Sequence, residues 1–185
     1  MQPDPLTTVM IQIPNLLIIA GSGNKSGKTT MACRLTEQMR DKCVVAVKIT
    51  PHFHETTPGL EFVAGGDGFS VSEETNRDTS KDTSRMLKAG AEKVFFAKVS
   101  DSTIVTAFEE IMKKIPEGSP VICESPALRH YVEPGLFIIM KSVLNDNQKD
   151  INALLQYPHF FFTLDEIRDL EKLPVAFVNG RWKVS

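Results

Sequence analysis

Apolar residues along this chain fall into short continuous runs that alternate with segments of helical periodicity. Runs at 16–20, 43–49, 93–99, 120–123 and 136–140 predict buried strands of a parallel sheet. Met31, Leu35 and Met39 recur at helical spacing within 29–40, and further helices are predicted at 81–89 and from Asp101 or Ser102 to about residue 114. Strands that alternate with helices are typical of an α/β fold whose ligand lies at the carboxyl ends of the strands.

The last part of the chain predicts shorter elements. A short helix is expected at 150–156, a strand at 159–163 and another short helix at 164–170. Two short segments, 175–178 and 181–184, flank Asn179-Gly180, the dipeptide that favours a type I′ hairpin turn. The predicted fold class is therefore α/β with three layers, a mainly parallel central sheet and a C-terminal β-hairpin.

Residues 50–80 follow the second strand and are rich in Gly, Pro and polar side chains. A connection of this length in a compact domain predicts a functional or mobile loop. The alternative is a small hairpin, in which Leu60–Val63 and Phe69–Ser72 flank a glycine-rich turn.

The most specific motif lies between the first strand and the first helix, where Gly27-Lys28-Thr29 ends a glycine-bearing loop. Such a loop offers backbone N–H groups and a helix N-terminus to phosphates, a lysine to the β- and γ-phosphates and a hydroxyl to Mg²⁺. The spacing is GxxxxxGKT, since Ser22 stands where the commoner P-loop pattern has its first glycine. The motif predicts a P-loop NTPase that binds a nucleoside triphosphate. Its candidate binding residues are Gly21, Ser22, Gly23, Asn24, Lys25, Ser26, Gly27, Lys28, Thr29 and Thr30.

Other side chains are placed to complete this site. Glu124 ends the buried strand at 120–123, where a carboxylate can hold Mg²⁺ together with Thr29. Lys48 near the end of the second strand is a candidate nucleotide contact. Asp82 is either a helix cap or a catalytic group near the γ-phosphate, alongside Lys28 and Glu124.

The four histidines carry weaker signals. His52 and His54 follow Lys48 and are interpreted as polar loop residues, with metal or substrate contact as the alternative. His130 is expected to be a solvated loop residue and His159 a structural one.

Composition narrows the function classes. A chain of 185 residues with 42% hydrophobic content is expected to form a single domain, residues 1–185. The net charge of −2 and scattered Lys and Arg residues give no basic surface for nucleic acid. The three cysteines suit small core residues in a reducing compartment, and no segment is apolar enough to predict a signal peptide or membrane span. We therefore expect a cytoplasmic protein without a nucleic-acid or membrane partner.

Four segments resemble the family of the molybdopterin-guanine dinucleotide biosynthesis adaptor protein MobB, within the P-loop class that includes dethiobiotin synthetase. They are the phosphate loop, Val47–His54, Lys81–Ala91 and Val121–Glu124. The resemblance implies GTP binding with Mg²⁺, weak hydrolysis and a molybdopterin guanylyltransferase as partner. P-loop proteins of this class are often dimers, so the resemblance also implies a homodimer.

The chain also departs from that family. Glu124-Ser-Pro-Ala127 replaces the family's Glu-Gly-Phe, and the histidines of Pro51-His-Phe-His54 are not adjacent. A guanine-reading Asn/Thr-Lys-x-Asp motif is missing from the sequence, so the choice of GTP over ATP rests on the resemblance. Two alternatives stay open: an ATP-dependent small-molecule kinase or ligase resembling dethiobiotin synthetase, and a nucleotide-binding module without useful turnover.

Overall fold

The computed structural model describes residues 10–52, 57–143 and 149–185. The strands are β1 (Ile11–Gly21), β2 (Val45–Thr50), β3 (Leu60–Gly66), β4 (Phe69–Glu74), β5 (Lys93–Val99), β6 (Val121–Glu124), β7 (Val132–Lys141), β8 (Phe160–Thr163), β9 (Val175–Val178) and β10 (Arg181–Val184). The helices are α1 (Lys28–Gln38), α2 (Asp82–Lys88), α3 (Ile104–Met112), α4 (Asn152–Leu155) and α5 (Leu164–Asp169). Short 3₁₀ turns cover 40–42, 101–103 and 127–130.

The main sheet of the described residues has eight strands in the order β3-β4-β5-β2-β6-β1-β7-β8. From β5 to β8 all neighbouring strands run parallel, whereas β3 and β4 are antiparallel to their neighbours. The strand β1 leads into the phosphate loop, β6 lies beside β1, and β2 lies beside β6. Because these strands run parallel, their carboxyl ends meet at one edge of the sheet. The site predicted from the sequence lies at this edge.

Alternating side chains of β1 divide the core into two layers. Leu16, Ile18 and Ala20 pack on the face covered by α3 and α4, whereas Leu17 and Ile19 pack on the opposite face. That opposite face is covered by α1, α2, α5 and the β9–β10 hairpin. Both faces of the parallel strands are therefore buried, and the expected three-layer α/β class with a C-terminal hairpin is confirmed.

The structure corrects two expectations drawn from the sequence. The functional or mobile loop expected over 50–80 gives way to the alternative hairpin over residues 60–74, because β3 and β4 pair with each other and β4 pairs with β5. The burial of Val71 in the core explains this pairing. The cysteines were expected in the core, but Cys43 is exposed, while Cys33 is half-buried and Cys123 buried.

No helix within the described ranges is long and apolar enough to span a membrane.

Candidate functional site

The connection from β1 to α1 forms the phosphate loop (residues 21–30). Gly27 is the residue before the helix and has a φ of 96°, a left-handed conformation that favours glycine. The first amides of α1 have no partner from a preceding helical turn, so they are available to an anion at this end. The backbone geometry is that of an anion-binding loop followed by a helix.

Ser22, the serine that replaces the expected glycine, anchors this loop to the neighbouring strand. Its amide donates to the carbonyl oxygen of Met140 at the end of β7 (3.0 Å), and its Oγ accepts a hydrogen bond from the amide of Ser142 (2.8 Å). The Ser22 carbonyl accepts another from the amide of Lys149 (2.7 Å). A glycine could not make the side-chain contact, so the departure from the common motif has a structural role.

Lys28 lies against the inside of the loop. Its Nζ donates to the carbonyl oxygen of Gly23 (3.3 Å) and to Ser26 Oγ (3.5 Å). Burial lowers the pKa of the Lys28 ammonium, and the neighbouring Lys149 and Lys48 lower it further, while the carboxylate of Glu124 opposes them. An anion bound in the loop would stabilise the charged form of the Lys28 ammonium.

Thr29 and Glu124 form a buried pair of oxygen groups beside the loop. Thr29 Oγ1 donates to Glu124 Oε2 at 3.1 Å, and both side chains are less than a tenth exposed. Glu124 comes from β6, whose pairing with β1 places it opposite Ile19. A hydroxyl and a carboxylate next to a phosphate loop fit the ligands that Mg²⁺ takes from proteins when phosphates and water complete its shell.

Lys48 connects two carboxylates at the same sheet edge. Its Nζ makes a close ion pair with Asp82 Oδ2 and lies 3.6 Å from Glu124 Oε1. Burial alone would lower the pKa of Lys48, but Glu124 and Asp82 together raise it. Burial likewise would raise the pKa of Asp82, whereas the hydrogen bond and charge of Lys48 and the charge of Arg85 lower it. Both groups of the ion pair are therefore charged at neutral pH.

These residues surround one cavity of about 620 Å³. The sequence-predicted residues that line it are Gly21, Asn24, Lys25, Ser26, Gly27, Lys28, Thr29, Thr30, Lys48, His52, Asp82 and Glu124. Ser22 and Gly23 do not line the cavity. The backbone and hydroxyl of Ser22 instead anchor the loop to the end of β7.

Two cations at the cavity were not predicted from the sequence. Arg85 lies on α2, with its Nη1 3.7 Å from Asp82 Oδ1. Lys149 lies beside the phosphate loop, because its backbone amide donates a hydrogen bond to the Ser22 carbonyl oxygen. The i,i+3 spacing from Asp82 was an available signal for Arg85. Lys149 had none, because its position depends on a contact 127 residues away along the chain.

The histidines divide between the site and the rest of the fold. His52 lines the cavity, whereas His54 lies outside the described residues. His130 Nδ1 is 3.1 Å from the hydroxyl of Tyr157, and His159 Nδ1 is 2.7 Å from the Tyr157 carbonyl oxygen. Neither of these two lines the cavity, so the site draws on His52 alone among the described histidines.

Comparisons with known proteins add a structural likeness. No family model matches the sequence, and no curated protein matches it. The crystal structure of the "apo" form of LpxK from Aquifex aeolicus in complex with ATP is similar, with 13% sequence identity and a TM-score of 0.48. The match covers 89% of this chain and 53% of that chain, so this chain spans about half the length of its solved neighbour. The identification of the phosphate loop rests on this chain's own residues.

Proposed function

We propose that this chain binds a nucleoside triphosphate together with Mg²⁺ in the 620 Å³ cavity. The observation that carries the proposal is the buried contact between Thr29 Oγ1 and Glu124 Oε2 beside Lys28 and the phosphate loop. The loop amides and Lys28 would hold the phosphates. Thr29 and Glu124 would hold the metal, which neutralises phosphate charge when bound.

The environment of Asp82 supports slow hydrolysis. Its carboxylate is engaged by Lys48 and Arg85, and the resulting low pKa makes it a weak base towards a water molecule. Phosphoryl transfer depends mainly on positioning the nucleophile and on stabilising charge. We therefore infer weak NTPase activity when no second substrate holds a nucleophile in line.

The finer assignment rests on the sequence resemblance to the MobB family. We propose GTP as the nucleotide, with ATP as the alternative, and a role as an accessory protein in molybdenum cofactor biosynthesis. In this role the partner would be a molybdopterin guanylyltransferase, the chain would form a homodimer and the compartment would be the cytoplasm.

A second candidate is an ATP-dependent small-molecule kinase or ligase. The observation that favours it is another cavity, of about 310 Å³, which shares Lys48 and Asp82 with the first. A kinase requires such a place for an acceptor beside the γ-phosphate. A binding module without turnover is the third reading, and it requires neither hydrolysis nor an acceptor.

A thermal-shift screen tests the proposed nucleotide site. ATP, GTP and their diphosphates are added with and without Mg²⁺ to the wild-type protein, to Lys28→Ala and to the control Lys114→Ala, which changes an exposed residue after the end of α3. At about 100 times its dissociation constant, a ligand stabilises the fold by roughly 2.7 kcal/mol. We expect this shift for a triphosphate with Mg²⁺ in the wild type and Lys114→Ala, and its loss in Lys28→Ala.

The same screen separates the candidates. A larger shift with GTP than with ATP supports the MobB-like role, and the reverse supports the kinase. A full shift in Lys28→Ala contradicts the assignment of the site itself.

A further inference from the structure

The 310 Å³ cavity is lined by Lys48 of β2 and by its partner on β5, Phe96, and lies beside the start of the β3–β4 hairpin. It shares Lys48 and Asp82 with the nucleotide cavity, so this ion pair lies where the two cavities meet. Its volume is at the lower end of the range for ligand pockets in proteins, about 300 to 1,000 Å³. The occupant must therefore be a small molecule.

The Lys48–Asp82 ion pair, which both cavities share, indicates how the second cavity lies relative to the proposed phosphate site. Lys28 marks the β- and γ-phosphates, and the Thr29–Glu124 pair marks the metal. Lys48 Nζ is 3.6 Å from Glu124 Oε1, so its ammonium lies next to the candidate metal position. A molecule in the second cavity would face the end of the triphosphate chain across Lys48 and Asp82.

The lining has three kinds of groups. Leu60 and the half-buried ring of Phe96 give it an apolar wall, while Ser80 and Thr57 contribute hydroxyl groups. Lys81 contributes an ammonium group, and within the described parts of the chain no carboxylate lies within ion-pair distance of it. These groups match a molecule with a short apolar body, an anionic group for Lys81 and a polar group directed at Asp82.

We propose that the second cavity binds a small hydroxy-carboxylate and presents its hydroxyl group to the γ-phosphate for transfer. The carboxylate would pair with Lys81, the carbon chain would lie against Phe96 and Leu60, and the hydroxyl would hydrogen bond to Asp82. This inference rests on the proposed nucleotide site, and it names the substrate class that the kinase candidate requires.

The transfer balances in atoms and charge. The hydroxyl oxygen of the acceptor forms a bond to the γ-phosphorus as the bond from that phosphorus to the β–γ bridging oxygen breaks. The electron pair of the broken bond leaves with the nucleoside diphosphate, while Asp82 orients the hydroxyl through a hydrogen bond and the hydroxyl proton is released to water as the new bond forms. Lys28, Lys48 and Arg85 face the negative charge of the phosphates during this step.

Ligand-observed NMR tests the site with 3-hydroxybutyrate, 4-hydroxybutyrate, glycerate and 4-hydroxyphenylacetate as probes. Each probe is titrated into wild type, Lys81→Met and the control Lys88→Met, in the presence of Mg²⁺ and a triphosphate with an imido β–γ bridge. Lys81 precedes α2 without capping it through its side chain, and Lys88 is an exposed residue at the end of the same helix, so both variants should keep the fold. Nucleotide binding is followed in the same samples by thermal shift.

We expect at least one probe to bind to the wild type and to Lys88→Met, and to bind about tenfold more weakly to Lys81→Met, because a charge-assisted contact is lost. With hydrolysable ATP or GTP, ³¹P NMR should show a phosphate ester of the bound probe.

Three results would overturn the proposal. They are equal probe binding by Lys81→Met and wild type, no binding of any probe while the nucleotide shift is intact, and probe binding without a phosphate ester. A missing nucleotide shift in the wild type would instead contradict the nucleotide site on which the proposal depends.

Discussion

At the residue scale, the site depends on how one lysine is shared by two carboxylates. Lys48 lies near the carboxyl end of β2, between Asp82 on α2 and Glu124 on β6. Only about a quarter of its side chain is exposed. Without this ammonium, two half-buried or buried carboxylates would face each other and the phosphates, which is costly at low dielectric. Lys48 therefore favours the charged form of Asp82 and offsets the repulsion between the two acidic side chains.

The lowered pKa of Asp82 gives a stability prediction with a defined sign. The stabilisation from its charged form is fully present above the pKa of an unfolded Asp, about 3.9, and is lost as the pH falls through the lower folded-state pKa. Asp82→Asn should therefore lower the free energy of unfolding at neutral pH by about 1 kcal/mol, since the carboxylate is partly exposed. The difference from wild type should shrink below about pH 4.

Urea unfolding of both proteins between acid and neutral pH measures this difference. Asp41→Asn is the matched control, because Asp41 pairs with its sequence neighbour Lys42 at the surface and is 72% exposed. Its free energy of unfolding should equal that of wild type throughout. An Asp82→Asn effect that does not change with pH would contradict an electrostatic role of this carboxylate.

The Thr29–Glu124 contact gives a prediction about the metal. Thr29→Ala and Glu124→Gln each remove an oxygen group from the Mg²⁺ position, so each should raise the Mg²⁺ concentration needed for triphosphate binding by about tenfold. Thr29→Ser keeps the hydroxyl and should behave as wild type. Isothermal titration at several Mg²⁺ concentrations measures the effect, with the exposed Glu109→Gln on α3 as control. Unchanged Mg²⁺ dependence in both site variants would exclude this pair as metal ligands.

At the element scale, the β3–β4 hairpin widens the sheet beside the site. Val71 of β4 is fully buried, and β4 pairs with β5 from Phe69 opposite Val99 to Glu73 opposite Phe95. Leu60 at the start of β3 reaches the second cavity. The hairpin is thus a fixed part of the sheet that also supplies one wall beside Lys48 and Asp82.

Hydrogen exchange tests whether this hairpin is fixed. Because β4 is paired on both sides, its amides should be protected in the nucleotide-free protein and should not change when Mg²⁺ and a non-hydrolysable triphosphate are added. Peptides from residues 22–27 should gain protection on the same addition. The paired amides of β9 and β10 serve as an internal reference. Fast exchange of β4 that slows with nucleotide would instead support a lid.

Strong local signals explain which elements the sequence predicts well. The strand Lys93–Val99 and the two strands of the C-terminal hairpin have the predicted bounds, since apolar runs there end at turn residues. β1, by contrast, begins at Ile11, five residues before the predicted start. Its first residues pair with β7 beyond a register shift between Ile13 and Leu17, and only the tertiary partner defines them as a strand.

The same distinction applies to the site. The motif predicted the loop, Lys28 and Thr29 because a local strand–loop–helix pattern carries that information. Lys149 enters the cavity through a contact across the fold, and the second cavity exists because a hairpin pairs with β5. Such contacts between distant parts of the chain leave no periodic pattern in the sequence.

At the scale of the whole molecule, a buried side chain of the β9–β10 hairpin makes a direct contact with the main sheet. Trp182 is fully buried on the face covered by α1, packs against Phe177 and donates from its Nε1 to the carbonyl oxygen of Asn15 in β1 (2.9 Å). Asn15 in turn donates from its Nδ2 to the Ser119 carbonyl (2.7 Å), just before β6. These contacts connect the hairpin to the strand that carries the phosphate loop.

The last prediction is that the hairpin and the main sheet unfold as one cooperative unit. Trp182, the single tryptophan of the chain, reports on the hairpin by fluorescence, whereas far-UV circular dichroism reports on all elements. Urea transitions by the two methods should coincide. Gly180→Val places a β-branched residue at a φ of 73° in the hairpin turn, and it should destabilise the fold by about 1–3 kcal/mol and lower both midpoints together. Two separate midpoints, or a shift seen by fluorescence alone, would show instead that the hairpin unfolds independently of the sheet that carries the site.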